Sequence, residues 1–432
     1  MKDFARSDSP EVQRQLDRLA ALSLPQGRFG LDTIRALSAR LGSPQNSLPP
    51  IFHVAGTNGK GSTCAYLRAM LEAQGLTVHA ATKPHLVRYN ERIRIAGKLI
   101  TDSHLASLLE EVLDTSKDLG PSFFEVTTAA MFLAFARESA DACVIETGLG
   151  GRFDATNILR HPAAIGIATL GIDHESFLLR PEEGTPPDPL ARIAFEKGGI
   201  IKPGSPVCTL SYPEQAEFQI ERAAAMTGSP LHMRGRDWDC TSVGVIEYSD
   251  RHGSLSLPLP TFLPGLHQIE NAALAVAMLR HQDRVSVSAE AMARGIEQTR
   301  WPARLQLLAE GPLTRYATGR MVWLDGGHNP DAGRAIAEHF RDQRLHLIIG
   351  MLANKDPRAV VAPLNDSIAR LQVVSVPGQD SHPPEAFGPA ATAAATIEEA
   401  LANLPPDGLP VLIAGSLYLA GEVLKANDEI PD

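Results

Sequence analysis

The chain has 432 residues, room for two or three domains with cores of their own, and its 44% apolar and 21% charged residues are the balance of a globular protein. A net charge of −10 excludes a sequence-independent grip on nucleic acid, which rests on Lys and Arg at phosphates. It still leaves room for a local basic pocket that takes a small phosphate ligand.

The first twenty residues, MKDFARSDSPEVQRQLDRLA, hold no apolar run of the signal-peptide kind. The most apolar stretch, Ala163–Ile172, is about half the length that spans a bilayer. A cytoplasmic chain with no membrane partner is expected. Cys64, Cys143, Cys208 and Cys240 are scattered and form no C-x-x-C pair, which reads as reduced thiols. Leu31–Leu41 has helical periodicity and is closed by Gly42. Ile51–Ala55 reads as a strand, followed by a Gly-rich turn and a helix in which Leu67, Met70, Leu71 and Gln74 share a face and Gly75 supplies the cap. Ala142–Glu146 and Ala164–Thr169 read as further strands, and Arg180–Pro189 (RPEEGTPPDP) as an exposed loop. A helical stretch runs to about Thr299 and is stopped at Trp301-Pro302. A new series then begins: strand Met321–Leu324, loop DGGHNPD, a helix over about Ala332–Asp342, and strands Leu345–Gly350 and Val411–Ala414. Nearly continuous apolar strands between helices predict an α/β fold with mostly parallel sheets covered on both faces. The division expected is 1–297, a P-loop-type ATPase domain, and 298–432, a smaller Rossmann-like domain.

The segment IFHVAGTNGKGST places an apolar strand before Gly56, Thr57, Asn58, Gly59, Lys60, Gly61 and Ser62, and a helix after them. Glycines let backbone N–H groups turn inward, the helix N-terminus adds partial positive charge, and Lys60 reaches terminal phosphates. Ser62 or Thr63 offers a hydroxyl to Mg²⁺. The alternative is a turn without ligand. Gly61 between Lys60 and Ser62 departs from the common G-x-x-x-x-G-K-[ST] spacing. Glu146 ends a strand, where ligands collect in doubly wound sheets, although a lone strand-end Glu is more often solvated or capping. His174 and Lys197 taken singly read as a hydrogen-bonded histidine and a solvated or paired lysine.

G-T-N-G-K-G-S resembles the nucleotide loop of the Mur ligase superfamily, and within it the folylpolyglutamate synthase and dihydrofolate synthase family. The resemblance continues through PHLVRYNERIRI, FFEVTTAAMFLAF, IETGLGGRFDATN, GIDHE and EKGGIIKPG. Farther on it takes in LPGLHQIENAALA, WPARLQ, LDGGHNPDA and GSLYLAGEVL, in the family's order over nearly the whole chain. It implies an ATP-dependent ligase that joins L-glutamate to dihydropteroate or to folate polyglutamates through an acyl phosphate, acting as a monomer. It implies Ser62 and Glu146 at one Mg²⁺, His174 at a second, and Lys197 as a carbamylated lysine serving that second ion, with K⁺ as a further cation. Lys60, His174 and Lys197 are the implied catalytic set. Asn271, Arg304 and Asp325 match positions that contact ATP, and His328 lies in the same loop as Asp325. Gly27, Arg28 and Phe29, Ser122, Phe123, Phe124 and Glu125, and Phe153, Asp154 and Ala155 match segments that bind pteroate, while the phenylalanines also suit a core.

One position departs from the pattern. The family usually reads Ser-Pro-His where this chain has Lys83-Pro84-His85, and a charged lysine does not ligate a metal; Thr82, a water or the lysine charge then takes the serine's place, or one metal site is weaker. A muramyl-type ligase carries a further domain before its ATP loop, for which about 55 residues are too few. A nucleotide-binding homologue without catalysis is the other alternative, against which stand Lys60, Glu146, His174 and Lys197 together.

Overall fold

The computed structural model describes residues 6–22 and 30–432, so the expected pteroate contacts Gly27, Arg28 and Phe29 lie outside the described residues. The chain divides into two compact units, one of residues up to Thr261 with Gln268–Thr299, the other of Phe262–His267 with Arg300–Asp432. Among the described residues no helix is long and apolar enough to cross a membrane.

The first unit is built on an eight-stranded sheet. Its strands are β1 (Ile51–Ala55), β2 (Val78–Ala81), β3 (Ile93–Ile95), β4 (Lys98–Leu99), β5 (Ala142–Glu146), β6 (Ala164–Ile167), β7 (Val207–Thr209) and β8 (Leu231–Met233), in the order β4-β3-β2-β5-β1-β6-β7-β8. All neighbours are parallel except β2–β3 and β3–β4. β1 and β5 are buried along their whole length, as strands covered on both faces must be. One face carries the helices Pro10–Ala20, Asp32–Arg40, Asp102–Thr115 and Phe123–Arg137 over a core that includes Val12, Ile34, Leu109 and Phe132. A second core around Ile193, Ile200 and Ile220 packs the helices Pro189–Gly198 and Glu214–Thr227.

A three-stranded antiparallel sheet follows, of β9 (Trp238–Ser242), β10 (Ile246–Asp250) and β11 (Gly253–Leu257). The second unit holds β12 (Gln306–Leu307), β13 (Val322–Leu324), β14 (Leu345–Ile349), β15 (Ile368–Val373), β16 (Ala391–Ala393) and β17 (Val411–Ala414), in the order β12-β13-β17-β14-β15-β16. Only its edge strand β12 runs antiparallel to its neighbour.

Several element ends differ from the sequence reading, each for a local reason. β6 stops at Ile167 rather than Thr169, because the Thr169 carbonyl leaves the ladder to accept the Thr57 N–H at 2.7 Å. The loop expected over Arg180–Pro189 ends at Asp188. The Asp188 carboxylate accepts the Ala191 N–H at 2.8 Å as a cap, which places Pro189 at the first helical position, where its missing N–H costs nothing. The helix expected over Ala332–Asp342 spans Pro330–His339, because Asn329 caps it and Pro330 again occupies the first turn.

The helix Lys60–Ala73 is pressed on its outer side by the helix Ala289–Gln298, and a Cβ on Gly295 would lie 2.6 Å from the backbone N and Cα of Met70. Gly295→Ala therefore forces the two helices apart. The expected loss is about 1–3 kcal/mol, read as a lowered urea midpoint at unchanged slope; a midpoint equal to wild type would contradict the close approach.

Candidate active site

The phosphate-loop candidate leaves the carboxyl end of β1 at the middle of the sheet. Gly56 has φ +152° and Gly59 has φ +81°, both in the region that disfavours a side chain. A Cβ at Gly56 would stand 2.9 Å from the Ala168 Cβ, and one at Gly59 would collide with the Asn271 side chain. The loop is thus held tightly between β6 and the helix Leu266–Arg280, and Asn271 is brought directly onto it. Thr57 completes the clamp: its hydroxyl donates to the Gly171 carbonyl at 2.8 Å and accepts the Gly171 N–H at 3.1 Å. The helix Lys60–Ala73 starts at Gly59 with no side-chain cap. Its first-turn amides therefore face the loop's concavity with the positive end of the dipole behind them.

Two lysines converge on one carbonyl oxygen. Lys60 Nζ donates to Gly56 O at 2.9 Å and to Thr57 O at 3.1 Å, while Lys197 Nζ, from the end of the helix Pro189–Gly198, donates to the same Gly56 O at 2.8 Å. Lys197 is buried. Burial, and next the Lys60 charge, push its amine well below the usual lysine range; Asp173, Asp154 and Glu196 oppose this without restoring it.

Glu146 ends β5 directly beside Val54 of β1, which places a buried carboxylate next to the loop. The raised pKa of the buried Cys64 thiol reflects burial first and then Glu146, with Lys60 pulling the other way, so both charges act on the first turn of this helix. Ser62 is buried in that turn. Thr63 is buried beside it, and its hydroxyl has no hydrogen-bond partner among the described residues. His174 follows β6 with φ +54°, heads the short helix Glu175–Leu178, and its N–H is held by the Asp173 carboxylate at 2.7 Å.

Lys83, in the departure from the family pattern, lies beyond β2. Its backbone N–H donates to Glu146 Oε2 at 2.8 Å. Its side chain runs over Gly148, where an added Cβ would come within 3.4 Å of Lys83 Cδ and 3.2 Å of Asp154 Oδ2. Asp154 accepts the N–H groups of Gly148, Leu149 and Thr156 and the Thr156 hydroxyl. Burial pushes its carboxyl up, but Lys83 and these hydrogen bonds more than offset that and hold it below the usual range.

The remaining expected positions fall into local groups. Ser122 and Glu125 bond reciprocally as a capping box on the helix Phe123–Arg137. Phe123 meets Tyr89 and Phe124 edge-on, at 6.2 and 5.2 Å between centroids, with the Arg92 guanidinium 5.7 Å above its ring. Phe153 lies under Arg152 at 4.1 Å, and Ala155 is buried. In the second unit, the Asp325 carboxylate accepts the N–H groups of Leu305 at 2.8 Å and Gly327 at 2.6 Å. Burial raises its pKa, and the nearby Arg304 only partly offsets this. His328 Nδ1 meets Gly326 O at 3.0 Å.

Sequence reasoning missed Arg152. Its guanidinium bridges Glu182 at 2.6 Å and Glu196 at 2.8 Å, and Arg192 reaches the same two carboxylates at 3.3 and 2.9 Å. This four-member network ties the Pro-rich stretch before Pro189 to the helix that carries Lys197. Only the Arg192–Glu196 spacing of four residues on one helix was a readable signal.

No family model matches the chain. It is 33% identical over 365 residues to the dihydrofolate synthase/folylpolyglutamate synthase of Bacillus subtilis, covering 80% of this chain and 79% of that one. The folylpolyglutamate synthase of Lacticaseibacillus casei is 32% identical over 416 residues, covering 90% and 92%. The chain belongs to the dihydrofolate synthase/folylpolyglutamate synthase family. It is an ATP-dependent glutamate ligase of folate metabolism. Among solved structures, E. coli FolC in complex with DHPP and ADP superposes with a TM-score of 0.85 at 29% identity over 98% of each chain. The Yersinia pestis bifunctional enzyme with AMPPNP and a Mn ion gives 0.83 at 27% identity over 98% of this chain and 99% of that one.

A buried lysine of depressed pKa binds fewer protons folded than unfolded at every pH between its folded pKa and about 10.4. Stability should therefore rise with pH through that window, and Lys197→Met should flatten the rise. Urea midpoints in CO₂-free buffer measure this; identical slopes in the two proteins would show that Lys197 is not depressed.

Proposed function

We propose that ATP lies on Gly56–Ser62 and phosphorylates the carboxylate of dihydropteroate or of a folate polyglutamate, and that the amine of L-glutamate then displaces phosphate through a tetrahedral intermediate. What carries this reading is the convergence of Lys60 and Lys197 on the Gly56 carbonyl, beside Glu146 and an uncapped helix N-terminus. Lys60 exchanges its two carbonyl acceptors for phosphate oxygens, which are stronger partners because they are charged. The anchored loop amides are set in place before the reaction, so stabilising the transferring phosphoryl needs little reorganisation. Asn271 orients the loop from the side, and Arg304, Asp325 and His328 are proposed as nucleotide contacts on the second unit.

The Ser62 hydroxyl and the Glu146 carboxylate are oxygen donors, as Mg²⁺ prefers. Among the described residues no group of three or more His, Cys, Asp and Glu is placed to hold a metal ion by itself. Such an open site suits an ion that keeps phosphate oxygens and waters as its other ligands. Two Mg²⁺, with K⁺ as a further cation, would offset the charge of ATP and of the attacked carboxylate. Lys197 reacts with CO₂ as its free amine, the form that its burial favours. The new N–C bond forms with release of one proton to solvent, and the resulting carbamate is an anion attracted to the neighbouring Lys60 ammonium. His174 is the protein donor proposed alongside it. A monomer in the cytoplasm completes the reading.

Two measurements test it. Lys60→Ala should abolish glutamate-dependent ADP release, a loss of at least a hundredfold in kcat; near-normal turnover would remove the loop from the mechanism. Assaying glutamate incorporation into dihydropteroate and into tetrahydrofolate in parallel, with mass detection, should give product from both, and a chain that uses only one is monofunctional.

A further inference from the structure

The parallel strands β1, β6 and β7 enter the sheet at the end opposite the phosphate loop, about 15 Å away along β1 at roughly 3.3 Å per residue. A cleft of about 710 Å³ opens at that end, between the helix Asp32–Arg40, the turn before β1, and the segments that lead into β6 and β7. Its volume is in the range of small-molecule sites.

Its lining is unusual for a chain of net charge −10. Arg35, Arg160, His161 and Lys202 face it, and among the described residues none that lines it is acidic. Asp32 receives an N–H from Arg35 at 3.4 Å, but its side chain stands wholly in solvent and takes no part in the wall. Like charges are brought together in the cleft: the Lys202 amine is pushed down to about 8, first by burial and then by Arg35.

The walls are tied to one another, so the cleft is preformed. Lys202 Nζ donates to the Asn157 carbonyl at 3.1 Å. The Asn157 amide donates to the carbonyls of Arg152 and Gly199 at 2.9 and 3.0 Å. Ser205 Oγ donates to Pro162 O at 2.8 Å. The first of these bonds uses one Lys202 donor and leaves the ammonium two more. Arg160 is exposed at the rim, where it can swing onto a ligand.

We propose that this cleft is a second anion site, distinct from the nucleotide loop, that takes a small polyanion with two or more oxyanion charges, a phosphate ester or a polycarboxylate. The fork of Arg35 and Arg160 suits either class, because both present paired oxygens to a guanidinium. In a chain whose overall field repels anions, such a patch holds its ligand by local charge, and its affinity falls as salt rises.

The test uses the full chain with AMPPNP and excess Mg²⁺, so that the phosphate loop is filled, titrated by calorimetry with glycerol 2-phosphate and separately with tricarballylate. Saturable binding of one equivalent is expected. Binding of the ester alone assigns the phosphate class, of the tricarboxylate alone the carboxylate class, and of both a site selected by charge. Arg160→Glu with Lys202→Gln should weaken that binding at least tenfold while leaving AMPPNP affinity and the circular-dichroism spectrum at wild-type values. Failure of both probes to saturate overturns the proposal, as does binding that the double variant leaves unchanged. Arg160→Glu alone, at an exposed position, serves should the double variant fail to fold, with the same two outcomes.

Discussion

The carbonyl of Gly56 is the point on which the first unit turns. It closes the central strand, and it accepts from two lysines that belong to different helices. The φ of +152° at Gly56 suits glycine, and the Ala168 methyl leaves no space for a side chain. Moving the carbonyl would release both ammonium groups at once. Thr57 and the Thr169 carbonyl then hold the rest of the loop to the end of β6, so the loop is fixed before any phosphate arrives. Two cations on one neutral oxygen are poorly compensated in a buried site. Burial first, and the Lys60 charge second, therefore push the Lys197 amine well below the usual lysine range.

What the sequence made legible follows from how local the causes are. β1, β5 and β17 have the bounds expected from their apolar runs, since a strand buried on both faces needs no partner to announce itself. The sheet of β9–β11 went unread. Its strands bury only alternate residues, as in Trp238 and Cys240 of β9 and Ile246 and Tyr248 of β10, and the polar half dilutes the signal in segments of five residues. The first-turn prolines 189 and 330 were not read as helix starts, because their Pro- and Gly-dense neighbourhood reads equally as loop.

For the site, the loop was legible because its chemistry lies in consecutive residues. Lys197 was different. Nothing within EKGGIIKPG tells that its amine is buried beside Lys60, 137 positions earlier, and only the resemblance marked it. Arg152 had no signal either: its partners Glu182 and Glu196 lie 30 and 44 residues away, and the Pro-rich segment between them is held in place by that pairing. Capping explains Ser122 and Glu125 without any ligand, which shows how a family motif can be retained by helix geometry as well as by binding.

Lys83 raised the sharpest conflict, a cation where the family places a serine. The structure separates its two ends. The backbone N–H serves Glu146, an interaction that any residue but proline could supply at this position. The side chain is carried past Gly148, whose missing side chain leaves room for it; burial lowers the Lys83 amine below the usual lysine range, and Asp154 opposes this more than Glu146 does. Asp154 in turn stays ionised despite burial, because Lys83 and four hydrogen-bond donors hold it there. The lysine therefore brings its own counter-ion from the TGLGGRFD segment. Asp154 is thus the main counter-charge to Lys83, ahead of Glu146, whose carboxylate takes the Lys83 backbone N–H.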